Sequence, residues 1–236
     1  MKTVLLTTDT THHLYYAWKL HERFPLDAIF LETSGLRFPF DTGHPFEAER
    51  DAYERDELLQ GAPAALTDIA PVESYSSMNN PECVAALEQR APDVVLVFGT
   101  GLLKPPIIRV ARTACLNLHG GNPEEYRGLD THLWAIYHRD FANLVTTLHH
   151  VAVELDTGDL VLQEELRLRP GMPLSQLRAV NTGACVRLSL LALLSLAELG
   201  TVPSRSQVKL GRYYSAMPSV LKEVCVQRFA RYTSTL

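Results

Sequence analysis

Asn117, His119 and Asp156 carry an amide, an imidazole and a carboxylate in one ordered pattern. Asn117 and His119 stand two positions apart at the end of an apolar run, residues 114–118, which has the length of a buried strand. Side chains two apart on an extended chain point the same way, so both would face one cavity. Together with Asp156, they form a set that can move a one-carbon acyl group onto an amine.

Each of the three groups suits one step of such a transfer. Attack of an amine on an acyl carbon creates an oxyanion in a tetrahedral intermediate, and the Asn117 amide suits the donor that stabilises it. The attacking nitrogen loses a proton, and an imidazole such as that of His119 exchanges protons readily near neutral pH. Asp156 is predicted to orient and polarise the imidazole or an intervening water.

The same residues also have a purely structural interpretation. Asn117 and His119 could cap a strand end and the turn after it, and the Asp-Thr-Gly sequence at 156–158 could be an ordinary hairpin turn. Short motifs often match by chance. The catalytic interpretation is favoured because all three residues occur in order, each at the end of a predicted strand.

Three short motifs carry a family resemblance. Asn117-x-His119, then Tyr-Arg-Gly at 126–128 and Leu-Asp-Thr-Gly at 155–158, resemble the formyltransferases that use 10-formyltetrahydrofolate. That group includes glycinamide ribonucleotide, methionyl-tRNA and sugar-amine formyltransferases. The resemblance runs from about residue 92 to 168 and keeps the order of the motifs. It implies an N-formyltransferase with 10-formyltetrahydrofolate as co-substrate and the three residues as its catalytic set.

The resemblance also implies where the folate binds. Residues 94–106 resemble the folate-binding strand and loop of the family, and the loop at 98–103 and residues 153–156 would hold the pterin ring through backbone groups. A flat heterocycle needs an apolar slot with fixed donors and acceptors. The loop lacks the G-x-G-x-x-G spacing and any P-loop lysine, so it is not a typical phosphate loop. The predicted cofactor-binding residues are Gly101, Leu102, Leu103, Val153 and Leu155.

Thr8, Thr10 and Arg127 are the predicted acceptor-binding residues. The two threonines precede a predicted helix, whose first N–H groups could receive an anion. His12 and His13 stand at this helix start, where a glycinamide ribonucleotide enzyme would have a glycine-rich phosphate loop, and this difference disfavours that subclass. Arg127 lies in a predicted loop over the site, where it could pair with an anionic ligand or pack on the surface.

Of the three subclasses, the chain most resembles the sugar-amine group, which implies a nucleotide-linked amino-deoxysugar as the acceptor. The net charge of −5 and the 37 residues after Leu199, too few for a further domain, disfavour tRNA. Two alternatives stay open: a formyltetrahydrofolate hydrolase, and a non-catalytic folate-binding relative. Aromatic residues of the tail could stack on a nucleotide or join two copies of the chain, so a homodimer is also open.

Composition indicates a cytoplasmic protein with neither a nucleic-acid nor a membrane partner. The four cysteines are scattered and without a C-x-x-C pair, as expected of buried thiols in a reducing compartment. The leucine-rich run at 188–196 is too short to span a membrane and fits a buried helix better. Alternation along a strand would turn only one of His149 and His150 inward, so no metal site is predicted.

Alternating strands and helices predict an α/β fold: a doubly wound, mostly parallel, Rossmann-like sheet with ligands at the carboxyl ends of its strands. The predicted domain division is a catalytic domain at 1–200 and a short appendage at 201–236 with a strand pair and a helix. Residues 32–81 are predicted to be irregular apart from one helix, and to set specificity. Predicted strands are 3–7, 27–31, 94–98, 115–117, 145–154 and 160–168; predicted helices are 12–24, 46–58, 81–90, one from 104, 130–138, 174–199 and 219–232.

Overall fold

Seven strands form one sheet in the computed structural model, which describes residues 1–236. They are β1 (Thr3–Thr7), β2 (Ala28–Glu32), β3 (Val72–Tyr75), β4 (Val94–Phe98), β5 (Ala114–His119), β7 (Val145–His150) and β8 (Leu160–Glu165); β6 (Tyr126–Gly128) and β9 (Arg212–Tyr214) form a separate parallel pair. The sheet order is β3-β2-β1-β4-β5-β7-β8. Strands β1 to β5 are parallel, whereas β7 and β8 are antiparallel additions.

Helices cover both faces of this sheet. They are α1 (Thr11–His21), α2 (Pro45–Tyr53), α3 (Pro81–Arg90), α4 (Pro105–Ile108), α5 (Thr131–Tyr137), α6 (Leu177–Leu199) and α7 (Ser219–Thr233). Alternation along β1 sends Leu5 to the face covered by α1 and α6, and Val4 and Leu6 to the face covered by α3 and α4. The predicted doubly wound, mostly parallel α/β fold is therefore confirmed.

The boundaries of several elements follow the predictions closely, and others differ for local reasons. β1, α3 and β4 have the predicted limits, whereas α1 ends at His21, earlier than predicted. The predicted helix at 46–58 is α2 followed by a π-helical turn, Glu54–Leu58. β3 was absent from the prediction because it is a short edge strand with half-exposed side chains. The predicted loop at 126–128 is the strand β6.

Helix α6 is the longest helix of the chain and is rich in leucine. With the preceding 3₁₀ turn it forms a stretch, Leu174–Leu199, that is long and apolar enough to cross a membrane by length and composition. Of its most apolar window, 61% is buried inside the protein, where the helix packs against α1 and the sheet. The leucine-rich run predicted to be too short to span a membrane belongs to a helix that is long enough, so the prediction about length is wrong. The predicted buried helix is present.

The tail beyond residue 200 packs into the body of the protein. Phe229 and Cys225 of α7 share a buried core with Ile136 of α5. The Lys222 ammonium, 2% exposed, lies 2.9 Å from Glu47 Oε1 of α2. The predicted strand pair and helix are present, and β6 is the strand that pairs with β9. The division into a domain at 1–200 and an appendage at 201–236 stays a prediction.

Candidate active site

Asn117 and His119 lie at the carboxyl end of β5 and line one cavity of about 370 Å³. They alternate with Leu118, which is buried, so both polar side chains reach the cavity from the same side of the strand. The neighbouring antiparallel strand β7 sets His149 directly opposite Asn117. The sheet therefore brings a second imidazole to the pair that the sequence predicted.

Asp156 reaches the same cavity from the loop between β7 and β8. Its backbone is left-handed, with φ of 55°, a conformation that aspartate adopts more readily than most residues. Gly158 follows because the loop passes so close to β7 that a Cβ there would collide with the His150 carbonyl. Gln207 of the tail donates from Nε2 to the Asp156 carbonyl at 2.8 Å. Asp156 is 5% exposed, and its position is fixed by the close approach of its loop to β7 and by the hydrogen bond from Gln207.

The Asp156 carboxylate lies between the two histidines. Its Oδ2 is 3.5 Å from His119 Nδ1 and accepts a 2.8 Å hydrogen bond from the Gly128 N–H, while its Oδ1 is 3.5 Å from His149 Nε2. Burial opposes the charged form, but the positive charge that His119 and His149 carry when protonated, the hydrogen bond from protonated His149 and the Gly128 N–H outweigh it and lower the pKa of Asp156 to about 2. Asp156 is therefore ionised near neutral pH.

Backbone carbonyls fix the tautomers of both histidines. His119 Nε2 lies 2.8 Å from the Tyr126 carbonyl, and His149 Nδ1 lies 2.8 Å from the His150 carbonyl. A carbonyl only accepts, so each of these nitrogens carries the hydrogen. The nitrogen that faces Asp156 is then the lone-pair nitrogen of each neutral ring. A proton taken up by this cluster lands between an imidazole and the carboxylate, where it is held by charge.

The tautomer of His149 also orients the amide of Asn117. Asn117 Nδ2 is 3.1 Å from His149 Nε2, and that nitrogen has no hydrogen in the neutral ring. Asn117 must therefore donate one N–H to His149, which determines which way its amide points. Its second N–H remains to donate into the cavity. This arrangement is what an oxyanion donor requires.

Four of the five predicted cofactor-binding residues line the cavity: Gly101, Leu102, Leu103 and Leu155. Val153 does not, since its side chain is 61% exposed. Leu103 and Ala152 both line the cavity, and their backbone N–H groups donate to no other group of the protein. One wall of the cavity thus combines leucine side chains with free backbone donors, as predicted for a flat heterocycle.

Two side chains outside the cavity hold the loop that carries Leu102. Glu32 at the end of β2 accepts from the Gly101 N–H at 2.6 Å, and Asn79 both donates to the Leu102 carbonyl at 2.8 Å and accepts from the Lys104 N–H at 2.7 Å. Both clamping residues come from the poorly predicted segment 32–81. They fix the loop without contacting the cavity.

The three predicted acceptor-binding residues lie outside the cavity lining. The hydroxyl oxygens of Thr8 and Thr10 are each 2.9 Å from a histidine ring nitrogen of α1, so they are already engaged. Arg127 donates from Nε to the Gly211 carbonyl at 2.7 Å and from Nη1 to the Leu155 carbonyl at 3.2 Å. Arg127 thus connects the tail to the loop that carries Asp156.

A second group of cavity residues was not among the predicted site residues. They are His12 and His13 of α1, Phe46 and Arg50 of α2, and Arg178 of α6, all of which line the same cavity. The sequence brings them from three distant segments, so no short motif could have joined them. His149 could have been found from strand alternation, had the pairing of β5 with β7 been known. No group of three or more His, Cys, Asp or Glu side chains is arranged to hold a metal ion.

Comparisons with known proteins bear on this site. The sequence model of the family described as "Formyl transferase" matches residues 49–181, more than half of the chain. A methionyl-tRNA formyltransferase from Acidobacterium capsulatum is 34% identical over 147 residues, which cover 61% of this chain and 46% of that protein. The chain spans about half the length of the curated relatives it matches.

Solved structures share the fold at low sequence identity. A sugar N-formyltransferase from a Shewanella species superposes with a TM-score of 0.63 at 14% identity, covering 97% of this chain and 87% of that one. The formyltransferase PseJ from Anoxybacillus kamchatkensis, solved with UDP-4,6-dideoxy-4-formamido-L-AltNAc and tetrahydrofolate, gives a TM-score of 0.53 at 18% identity, covering 91% and 86%. At these identities the likeness concerns the fold.

Proposed function

The chain belongs to the formyl transferase family, and on that premise we propose that it is an N-formyltransferase. It moves the formyl group of 10-formyltetrahydrofolate to the amine of a nucleotide-linked amino-deoxysugar. The observation that carries the proposal is the convergence of Asn117, His119 and Asp156 on one cavity, with an ionised carboxylate beside two tautomer-fixed imidazoles.

The residues present fit a folate. Leu102, Leu103 and Leu155 offer an apolar slot, and the free N–H groups of Leu103 and Ala152 offer donors at its edge. 10-Formyltetrahydrofolate supplies the formyl carbon when it is bound. The clamps from Glu32 and Asn79 keep the slot in shape before binding, which lowers the cost of ordering it.

The side chains of this chain divide the work of transfer. Asn117 donates its free N–H to the oxygen that becomes negative as the amine attacks. His119 holds a proton at Nδ1 beside Asp156 Oδ2 and stabilises the same charge. The proton lost by the amine passes by way of His119, Asp156 or a water to the departing folate nitrogen. No covalent bond to the protein is required.

Support for an amino-sugar acceptor comes from the fold likeness to sugar N-formyltransferases over nearly the whole chain and from the acidic net charge. The matched relatives named as methionyl-tRNA formyltransferases favour a second candidate, methionyl-tRNA. A tRNA substrate calls for a basic surface. We therefore rank it second. A cytoplasmic location, where the four buried cysteines stay free, belongs to the same proposal.

The test is an assay of tetrahydrofolate release with nucleotide-linked amino sugars and with charged initiator tRNA. The proposal expects release only when an amino sugar is added, and a formamido sugar as product. Release with the tRNA alone would replace the acceptor by the second candidate. Release without any amine would identify a hydrolase, and folate binding without turnover would identify a non-catalytic relative.

The catalytic assignment is tested by Asn117→Ala and His119→Ala in the same assay. Loss of the oxyanion donor should reduce kcat by about a hundred- to a thousandfold. Asn122→Ala is a matched control, since Asn122 lies on the next loop and bonds Asn143 instead of the cavity. If both site variants folded and kept full activity, the catalytic assignment would be wrong.

A further inference from the structure

His12 and His13 form a patch of the cavity wall that the transfer chemistry does not use. Both line the cavity, and they are only 9% and 4% exposed. Their ring centroids are 4.0 Å apart, and both rings meet Phe98 edge to face, at 5.6 and 4.5 Å. A Cβ at Gly99, where φ is 84°, would come within 2.5 Å of the His13 ring. The rings are thus closely held.

Threonine hydroxyls hold the inner nitrogens of both rings. Thr10 Oγ1 lies 2.9 Å from the Nδ1 atoms of His12 and His13, and Thr8 Oγ1 lies 2.9 Å from Nδ1 of His13. The Nε2 atoms have no hydrogen-bond partner within the protein. Two unpaired polar nitrogens therefore remain for a ligand in the cavity.

The threonines use the Nδ1 atoms and leave each Nε2 to hydrogen-bond in one direction. Where Nδ1 accepts from a threonine hydroxyl, Nε2 carries the hydrogen and donates; where Nδ1 donates to the hydroxyl oxygen, Nε2 accepts. His13 Nδ1 has both Thr8 and Thr10 at 2.9 Å, and a hydroxyl oxygen accepts from up to two donors, so more than one pair of tautomers satisfies the threonines. In each of these pairs the patch offers two hydrogen-bonding nitrogens side by side.

The patch carries no charge and has little to offer an anion. Burial is the main reason that the pKa of His13 falls to about 3, with the charge of Arg178 adding to it, and the pKa of His12 is lowered for the same reasons. Arg178 is itself paired with Glu54 at 2.7 and 2.6 Å, and Arg50 with Asp51 at 3.0 Å. A buried phosphate here would lack a counter-charge.

We propose that His12 and His13 bind the uncharged, hydroxyl-bearing part of the acceptor, through one hydrogen bond at each Nε2 atom. Neighbouring hydroxyls of a sugar ring are the chemistry that such a pair recognises, because each hydroxyl both donates and accepts. The inference rests on the proposed function, since it assigns part of the acceptor. It leaves the nucleotide phosphates outside this patch.

The test separates binding of the sugar from binding of the phosphates. His12→Asn and His13→Asn keep a polar atom near the Nδ1 position and remove the atom at Nε2. Titration calorimetry is performed with UDP, with a UDP-linked 4-amino-4,6-dideoxy sugar and with tetrahydrofolate, and the dTDP pair is run alongside. We expect each variant to bind the nucleotide sugar about tenfold more weakly. Binding of the nucleoside diphosphate and tetrahydrofolate should change less than about twofold.

The outcomes distinguish this inference from the proposed function. The inference is overturned if the variants weaken binding of the nucleoside diphosphate as much as binding of the nucleotide sugar, or if binding of the nucleotide sugar is unchanged. In either case, turnover of an amino sugar by the wild type still supports the proposed function. A wild type that neither binds nor formylates any amino sugar overturns the proposed acceptor and the inference together. His138→Asn, at an exposed histidine, is the matched control.

A second readout needs no ligand. Long-range ¹H–¹⁵N NMR spectra of the free protein report which ring nitrogen of each histidine carries the hydrogen. The inference expects one ring nitrogen of His12 and one of His13 to carry a hydrogen at about pH 7, so that both rings are neutral, and the two asparagine variants assign the resonances. A ring with hydrogens on both nitrogens at either position would bring a charge into the patch and overturn the inference.

Discussion

Two groups of the same composition, each with one carboxylate and two histidines that line the cavity, behave differently. At the β5 end, Asp156 stands 3.5 Å from each of two imidazoles, and no arginine competes for it. At the α1 end, Glu54 is taken by Arg178, and its distance to His12 is 4.0 Å. The first group can hold a proton as an ion pair, whereas the second stays neutral.

The difference lies in the partner of the carboxylate. A buried imidazole gains a proton only where an opposite charge offsets the cost of desolvation. Asp156 offers that charge to His119. Glu54 is paired with the Arg178 guanidinium, so burial, together with the charge of Arg178, keeps the pKa of His12 and of His13 low. One cavity thereby keeps a proton-handling end and a neutral recognition end.

Removing the charge of Asp156 should have the largest effect. Asp156→Asn keeps the shape of the side chain and an oxygen that can accept the hydrogen bond from the Gly128 N–H. It leaves the imidazoles without a counter-charge. We expect kcat to fall by about a hundred- to ten-thousandfold, the range of general acid–base catalysis. The tetrahydrofolate release assay measures it, with Asp159→Asn, at an exposed position of the same loop, as control. A fall below about tenfold would contradict the proton-handling role.

Removing Arg178 should make the second group resemble the first. In Arg178→Gln, the fully buried Glu54 loses its partner, which should destabilise the fold by roughly 3–5 kcal/mol. The freed carboxylate and the lost cation should both raise the pKa of His12 and His13. Urea unfolding and NMR titration of the ring signals measure the two effects.

The double variant Arg178→Gln with Glu54→Gln is the control for this change. It removes both charges, so the histidines should stay neutral as in the wild type. If their pKa rose equally in the single and double variants, Glu54 would not be the group that decides their state.

The acid sensitivity of the fold should depend on His13. The unfolded chain takes up a proton at this residue below about pH 6.5, whereas the folded protein, with a pKa of about 3, does not. Stability is therefore lost as the pH falls from 6.5 toward 3, by about 2 kcal/mol per residue between pH 7 and pH 5. His13→Asn should lose correspondingly less stability over that interval in urea unfolding.

The reference for this prediction is His138→Asn. His138 is exposed, so its replacement should leave the pH dependence close to that of the wild type. A His13 variant with the wild-type slope would indicate that the folded protein accepts a proton at His13, against the account of a neutral pair.

The smallest predicted effect concerns the loop clamp. Asn79→Ala removes two hydrogen bonds to the backbone of the loop carrying Leu102 and Leu103. The KM for 10-formyltetrahydrofolate should rise by about tenfold, and by more than kcat falls, because the catalytic residues are untouched. Asn80→Ala is the neighbouring control, since Asn80 bonds Ser76. A variant with lower kcat and unchanged KM would contradict this positioning role.

The comparison also explains what could be predicted from the sequence. Asn117 and His119 were predictable because their spacing and the strand that carries them are local, and Asp156 followed from the motif at 155–158. A prediction of His149 as a site residue required the pairing register of β5 with β7, which cannot be read from the local sequence. The group of His12, Glu54 and Arg178 joins α1, a π-helical turn and α6, and only packing brings them together.

The segment 32–81 shows the same limit. Its one predicted helix is present, yet β3 is short and half-exposed and carries little periodicity. Its clamping residues, Glu32 and Asn79, act on a loop more than twenty positions away. Long-range hydrogen bonds of single polar side chains leave no pattern in the local sequence.

The most direct test compares His119→Asn with His13→Asn in one steady-state assay, using the same acceptor and 10-formyltetrahydrofolate. The account predicts that the first lowers kcat by a larger factor than it changes the acceptor KM, and that the second raises the acceptor KM by a larger factor than it lowers kcat. If the two variants showed the same pattern, or the reverse one, the division into a proton-handling end and a neutral recognition end would be contradicted.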